Sequence, residues 1–320
     1  MIRLGYALSS EEHGPSELVD LAARAEECGF EYAIISDHFH PWTDSQGESP
    51  FVWMVIGGIA ERTERLALGT GVTCPTIRIH PVIVAQAAAT AAAMMPGRFF
   101  LGVGTGEKLN EHVLGDRWPG AEMRLEMLEE AVAVIRTLWQ GKRTTFRGAY
   151  YTVEDARLYT LPDEPPPIVV AASNPGAAEL AGRAGDGFVS TAPVAELVER
   201  FQESGGASRP RYGQLTVCYH EDEREARRLA REIWPNGAMG GDLGQELPSP
   251  KQYEQIAELV TEEDIAKTVV CSSDPAAFRE QIDAFAEAGF DHVYIHQVGP
   301  DQEAFFRFFE HELQPAYAAA

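Results

Sequence analysis

Ala25-Glu26-Glu27-Cys28-Gly29-Phe30-Glu31-Tyr32-Ala33-Ile34-Ile35 passes from an Ala/Glu-rich helical pattern, through a glycine and an acid, into a short β-branched strand. The same unit returns as Phe285-Ala286-Glu287-Ala288-Gly289-Phe290-Asp291-His292-Val293-Tyr294-Ile295, and more loosely as Ala181-Gly182-Arg183-Ala184-Gly185-Asp186-Gly187-Phe188-Val189-Ser190. Glycine suits the junction because the residue that closes a helix turns left-handed cheaply only without a Cβ. Each copy reads as a helix feeding a parallel strand. Outward from these units, strand candidates fall at residues 2–8, 32–36, 66–72, 98–103, 167–172, 186–190, 214–219 and 291–296, with helical patterns between them. Eight strands alternating with helices predict a (β/α)8 TIM barrel; an open doubly wound sheet has the same alternation and stands as the alternative. Residues 143–165 read as a hairpin insertion and residues 235–265 as a Gly/Pro-punctuated excursion. Neither has the composition of a linker, so residues 1–320 read as a single decorated domain.

The 320 residues carry 49 acidic against 26 basic side chains, a net charge of −23. Such a field opposes duplex nucleic acid and anionic membranes, whose binders need basic patches. Cys28, Cys74, Cys218 and Cys271 are widely spaced and form no metal-type or disulfide pattern, so no metal site is expected. The N-terminal apolar run soon meets Glu11-Glu12, and the most apolar stretch, 82–95, is interrupted by Gln86; neither export nor a membrane span is expected, and a reducing, cytoplasmic setting fits.

Ligand groups in a parallel barrel come from the C-terminal ends of the strands. After the second strand stands Ser36-Asp37-His38-Phe39-His40-Pro41-Trp42; after the third, Gly69-Thr70-Gly71-Val72-Thr73-Cys74; after the fourth, Gly102-Val103-Gly104-Thr105-Gly106-Glu107-Lys108-Leu109-Asn110-Glu111. Ala171-Ala172-Ser173-Asn174-Pro175 and Ser190-Thr191 follow the fifth and sixth. His38 and Glu107 are types that move protons near neutral pH. From spacing alone, a loop-capping Asp37 and a structural His38 account for the first cluster as well, and His40 reads as a surface imidazole. Gly102 to Gly106 lacks the Gly-x-Gly-x-x-Gly spacing of a nicotinamide site; its glycines instead let a flat ring or a phosphate approach the backbone. Met94-Met95, Phe99-Phe100 and Phe305-Phe306-Phe308-Phe309 read as core.

At these residues the sequence resembles the coenzyme F420-dependent branch of the luciferase-like superfamily, and most of all its glucose-6-phosphate dehydrogenases. The likeness rests on Ser36-Asp37-His38-Phe39, Pro41-Trp42, the string Phe99 to Glu107 with Leu109-Asn110-Glu111, and Ala181 to Phe188. It implies a luciferase-like barrel, usually a homodimer, holding the deazaflavin in its mouth. Asp37 would hold the cofactor, His38 would take the hydroxyl proton of an alcohol, Trp42 would pack at the reacting centre and Glu107 would serve the ring nitrogen. The roles of His38 and Glu107 could be exchanged. Further cofactor contacts are implied for Gly71 and Val72, joined by a non-proline cis peptide, and for Cys74, Asn110, Ser173 and Asn174. Thr191 and Arg279 remain of the family's phosphate grip, whose two lysines fall here on the Ala192-Pro193-Val194 segment and on Gln255.

Losing two ammonium groups removes most charge-assisted bonds to a dianion, about 1.5–3 kcal/mol each. The expectation is therefore an F420-dependent dehydrogenase of a neutral alcohol or sugar, with glucose 6-phosphate not preferred. The alternatives are an FMN-dependent monooxygenase, a reductase of a pterin-bound one-carbon group and a barrel that binds the deazaflavin without chemistry.

Overall fold

Gly29 and Gly289 follow the helices Pro15–Glu27 and Pro275–Glu287 at φ +89° and +96°, the left-handed turn their sequence unit predicts. The third copy departs: Gly185 has φ −86°, and it is the space that is needed, since a Cβ there would stand 2.8 Å from the Ala181 carbonyl oxygen. The computed structural model describes residues 2–241 and 243–317.

In chain order the strands are β1 (Arg3–Leu8), β2 (Tyr32–Ile35), β3 (Ala67–Thr70), β4 (Phe99–Val103), β5 (Thr144–Arg147), β6 (Thr152–Ala156), β7 (Ile168–Ala171), β8 (Gly187–Ser190), β9 (Arg211–Tyr219), β10 (Val270–Ser272) and β11 (His292–Gln297). Parallel pairing runs β1-β2-β3-β4-β7-β8-β9-β11 and returns to β1, so eight strands close a (β/α)8 barrel and the open-sheet alternative falls away. The expected strands match the eight barrel strands closely. β9 begins earlier than its apolar run because Phe188 and Val189 pair with Arg211 and Tyr212.

Inside the barrel Tyr32, Ile34, Phe100, Val169, Val189, Tyr212 and Tyr294 pack together, with Ala7, Val72 and Ala171 against them. The helices bury their apolar faces on the outside of the same strands; Met95, Phe99, Phe305, Phe306, Phe308 and Phe309 belong to that core. Met94 does not; it is 39% exposed, because it ends its helix on the side away from the strands.

β5 and β6 form the antiparallel hairpin expected in the first insertion. The second insertion is built from the 3-10 turn Pro235–Ala238 and the short helices Leu243–Glu246, Pro250–Ala257 and Glu262–Ile265, and its residues roof the mouth of the barrel. It leads into β10, a three-residue strand too short for periodicity to show, which pairs with the C-terminal half of β9. Among the described residues no helix is long and apolar enough to cross a membrane.

Candidate active site

The C-terminal ends of the strands enclose a cavity of about 500 Å³. Ala7, Ile34, Ala171 and Val189, near the ends of four strands, and Val72, just beyond β3, give it a small-residue apolar floor. The peptide between Gly71 and Val72 is cis. On the wall, a Cβ at Gly104 would lie 2.7 Å from Val72 Cγ2, and one at Gly106, where φ is +72°, would lie 2.7 Å from Cys74 Sγ. Bare backbone over an apolar floor is a surface on which a flat heteroaromatic ring can lie, and the deazaflavin fits it.

His38, beyond β2, stands on the cavity wall with its Nδ1 3.3 Å from Glu11 Oε1, beyond β1. The contact is close enough for charge attraction but not aligned as a hydrogen bond. Glu11 is 2% exposed and its other oxygen accepts from Ser36 Oγ at 2.6 Å and Ser9 Oγ at 3.0 Å. Burial pushes its carboxyl up, but His38 and the Ser36 hydroxyl outweigh this and hold it below the usual range. Trp42 meets the His38 ring edge to face at 4.9 Å. His40, expected as a surface imidazole, is half-buried and its Nδ1 lies 3.0 Å from the Leu109 carbonyl, which ties it to the neighbouring loop.

Glu107, beyond β4, lines the same cavity and precedes the one-turn helix Lys108–Glu111. Asn110, buried behind it, ties the two loops together. Its Oδ1 accepts the backbone N–H groups of Phe39 and His40 at 2.9 and 3.1 Å, and its amide donates to Glu107 Oε2 at 3.4 Å.

Asp37 turns away from the cavity. Its Oδ2 accepts from Thr73 Oγ1 at 2.7 Å and its Oδ1 from the Arg78 guanidinium at 2.8 Å. Arg78 also donates its backbone N–H to Glu111 Oε2 at 2.8 Å, and its Nε lies 3.5 Å from Glu111 Oε1. Cys74 is buried beside Thr76, and burial raises its thiol well above the usual range, so its visible part is to back Gly106.

Ser173, Asn174 and Thr191 line the cavity. Asn174 caps the ten-residue helix Pro175–Ala184 by accepting from Ala177 N at 3.0 Å, so the positive end of that helix opens on the site, the place where an anion is best held. Arg279 stands apart on the outer helix Pro275–Glu287, its guanidinium 3.5 Å from the Glu312 carbonyl. Arg124 is the one Lys or Arg among the described lining residues, and it donates to the Pro119 carbonyl, Glu246 and Gln245 at 2.7, 3.2 and 2.9 Å.

Glu11, Arg124 and His296 line the cavity but lie outside the motifs. The signal for Glu11 and His296 is the strand-end rule itself, applied to the first and last strands of the barrel. Arg124 gives no such signal, because it lies inside the regular helix Ala121–Leu138.

A closed parallel barrel with a glycine-lined, imidazole-bearing mouth defines a cofactor-holding TIM barrel. The chain belongs to the luciferase-like family: the model described as luciferase-like monooxygenase matches residues 1–292. It is 37% identical to an F420-dependent glucose-6-phosphate dehydrogenase of Microbacterium testaceum, over 98% of this chain and 97% of that one. It is 38% identical to another so named from Intrasporangium calvum, over 98% of both. Among solved structures, an F420-dependent secondary alcohol dehydrogenase in complex with an F420-acetone adduct superposes with a TM-score of 0.93 at 31% identity, covering 99% of each chain.

Proposed function

We propose that this protein is an F420-dependent dehydrogenase of CH–OH groups whose substrate is a neutral alcohol or sugar. The observation that carries the reading is the Glu11–His38 pair on the wall of a cavity whose floor suits a flat deazaflavin. Relatives and the neighbouring structure, named for F420-dependent dehydrogenases, support the cofactor and the reaction class. When bound, F420 supplies the hydride acceptor or donor at its ring carbon C5.

His38 takes the hydroxyl proton at Nε2, because its Nδ1 is turned to the buried Glu11 carboxylate. Trp42 shields that ring from water. Glu107, steadied by Asn110, is the second proton carrier at the site. Gly71, Val72 and the Ser173-Asn174 turn hold the cofactor's ring and anionic tail; Asp37, Cys74 and Asn110 act from behind, as positioning residues. Thr191 faces substrate, and Arg279 takes no part.

A phosphorylated sugar finds little here. Arg124 already serves three acceptors, and Arg211 is paired with Asp291 at the N-terminal end of β9, far from the mouth. The reading takes the whole chain as one functional barrel. It also takes it as a homodimer, supported by Phe51 and Met54, at the start of the helix Val52–Arg62, and Ile83, in the neighbouring helix Pro81–Met94, which are 54, 76 and 52% exposed, and as cytoplasmic, supported by four unpaired thiols.

The test is titration of the apoprotein with F420 and, separately, FMN, followed by absorbance and fluorescence. Micromolar or tighter binding of F420 alone, then bleaching of its oxidised band by neutral alcohols or sugars and not by glucose 6-phosphate, is expected. Preference for FMN would overturn the reading and favour an oxygen-using enzyme.

A further inference from the structure

The cavity changes character across the barrel from its bare-backbone wall. Its floor is apolar where β1, β2, β7 and β8 end, but β9 and β11 bring Gln214, Thr216, Tyr294 and His296. In the closed order β1-β2-β3-β4-β7-β8-β9-β11, β9 stands four places from β3, and β11 four places from β4. The polar arc therefore faces the Gly71-Val72 step and the Gly104 to Gly106 turn across the axis. With the deazaflavin against that backbone, the polar arc is left to the substrate. Thr216 is also at the His38 end: Trp42 packs on His38 at 4.9 Å and on the cluster that holds Trp234, Trp234 packs on His296 at 4.4 Å, and His296 is the register partner of Thr216.

Hydrogen bonds within the arc run in one direction. Tyr294 is 4% exposed and burial pushes its phenol up, so the hydroxyl keeps its proton and donates it to Gln214 Oε1 at 3.0 Å. The Gln214 amide then presents its N–H side, and Thr216 Oγ1 accepts from it at 3.3 Å. A hydroxyl that accepts still has its own proton to give, and among the described residues that of Thr216 meets no acceptor. Leu215 and Val217 face the outer core, which turns Thr216 inward; it is half-buried, so the cavity reaches it. Solvent serves this donor while the cavity is open. A substrate that displaces the solvent has to bring an acceptor of its own.

Resting on the dehydrogenase reading above, we propose that Thr216, its proton aimed by Gln214 and Tyr294, determines specificity by donating to an oxygen of the substrate other than the carbinol that His38 deprotonates. The substrate class is then a neutral alcohol bearing a further acceptor oxygen, as an ether, a ring oxygen or a carbonyl, and not a plain hydrocarbon alcohol. A site that offers a hydrogen bond rejects the analogue lacking its partner far more strongly than an apolar pocket rejects a change of size.

Cyclohexanol, oxan-3-ol and oxan-4-ol, which differ in one ring CH2 replaced by oxygen, test this with the F420-loaded protein. Thr216→Val keeps the shape of the side chain and removes the donor. It is expected to lower kcat/KM for the better oxanol about tenfold or more, through KM, and to leave that for cyclohexanol nearly unchanged. Thr216→Ser, which keeps the hydroxyl, is expected to keep the oxanol. Comparing each alcohol between wild type and variant cancels the inductive effect of the ether oxygen on hydride loss. An equal loss for all three alcohols, or no loss for either oxanol, overturns the proposal. Binding is read apart from turnover: ketones cannot react with oxidised F420, so cofactor fluorescence gives dissociation constants for oxan-3-one, oxan-4-one and cyclohexanone. Wild type is expected to bind the better oxanone about tenfold more tightly than cyclohexanone, and Thr216→Val to bind them alike. A preference that the variant retains overturns the proposal. The two readings separate, since a binding preference that Thr216→Val removes, without turnover of any alcohol, sinks the dehydrogenase and leaves Thr216 its part. Turnover without that preference does the reverse.

Discussion

Glu11 Oε1 stands 3.3 Å from His38 Nδ1, and two serine hydroxyls aim the other oxygen of the same carboxylate. The acid is thereby fixed behind the ring, and its negative charge lowers the cost of the imidazolium that forms as His38 accepts a proton. Glu11→Gln keeps the size of the side chain and removes the charge. Its kcat with the best alcohol is expected to fall about 10²- to 10⁴-fold, the usual range for impaired acid–base catalysis. F420 affinity measured by fluorescence should change little by comparison. An unaltered kcat would show that His38 works without its carboxylate.

Asn110 joins the two loops that carry the proton-moving residues, accepting from Phe39 and His40 on one and donating to Glu107 on the other. Leucine at this position fills the space but accepts nothing. Asn110→Leu is expected to lower kcat more than tenfold while costing about 1–3 kcal/mol of unfolding free energy, since two part-buried backbone N–H groups lose their acceptor. Denaturant titration beside steady-state kinetics separates the two effects. A loss of stability without a loss of kcat would make Asn110 a packing residue only.

Arg78 lies between Asp37 and Glu111 with its side chain 8% exposed, and both partners raise its already high pKa against the burial that opposes them. Arg78→Met leaves two buried carboxylates without their cation. A loss of about 3–5 kcal/mol is expected by urea unfolding, as for other broken buried pairs. Asp37→Asn, which retains an oxygen for Thr73, should lose less. Equal losses for the two would mean that the Asp37 charge, and not the triad, carries the stability.

The barrel was legible because its information is local: the helix-glycine-strand unit at Gly29 and Gly289 and the apolar runs that become the barrel strands each declare themselves within a dozen residues. His38, Trp42, Glu107 and the Gly71-Val72 step lie in loops whose composition departs from that pattern, so they stood out and the fold gathers them in one cavity. Glu11 and His296 obey the strand-end rule but each looks ordinary in its own segment; the pairing of β1 with β2 brings Glu11 to His38, and the closing of β11 on β1, nearly the whole chain apart, brings His296 to Glu12. Asp37 shows the opposite failing: its place in a conspicuous motif points to the ligand, but it is Arg78, 41 residues on, that decides which way its carboxylate turns.

Glu111 offers a test of that buried network through pH. Burial pushes its carboxyl up to about 7; the Arg78 backbone N–H and charge oppose this, and Glu107 and Asp37 add to it. The folded protein therefore holds this proton through a range in which the unfolded chain, with an ordinary value near 4.5, has lost it. The folded state binds more protons there, so the contribution to stability is complete below the unfolded value and is lost as pH rises through the folded one. Between pH of about 4 and 8 that loss is on the order of 3 kcal/mol. Glu111→Gln cannot ionise and escapes it. Relative to wild type, the variant should gain stability by about that amount as pH rises, read from denaturant midpoints at the two ends of the range. A difference that stays constant with pH would mean that Arg78 keeps Glu111 ionised throughout.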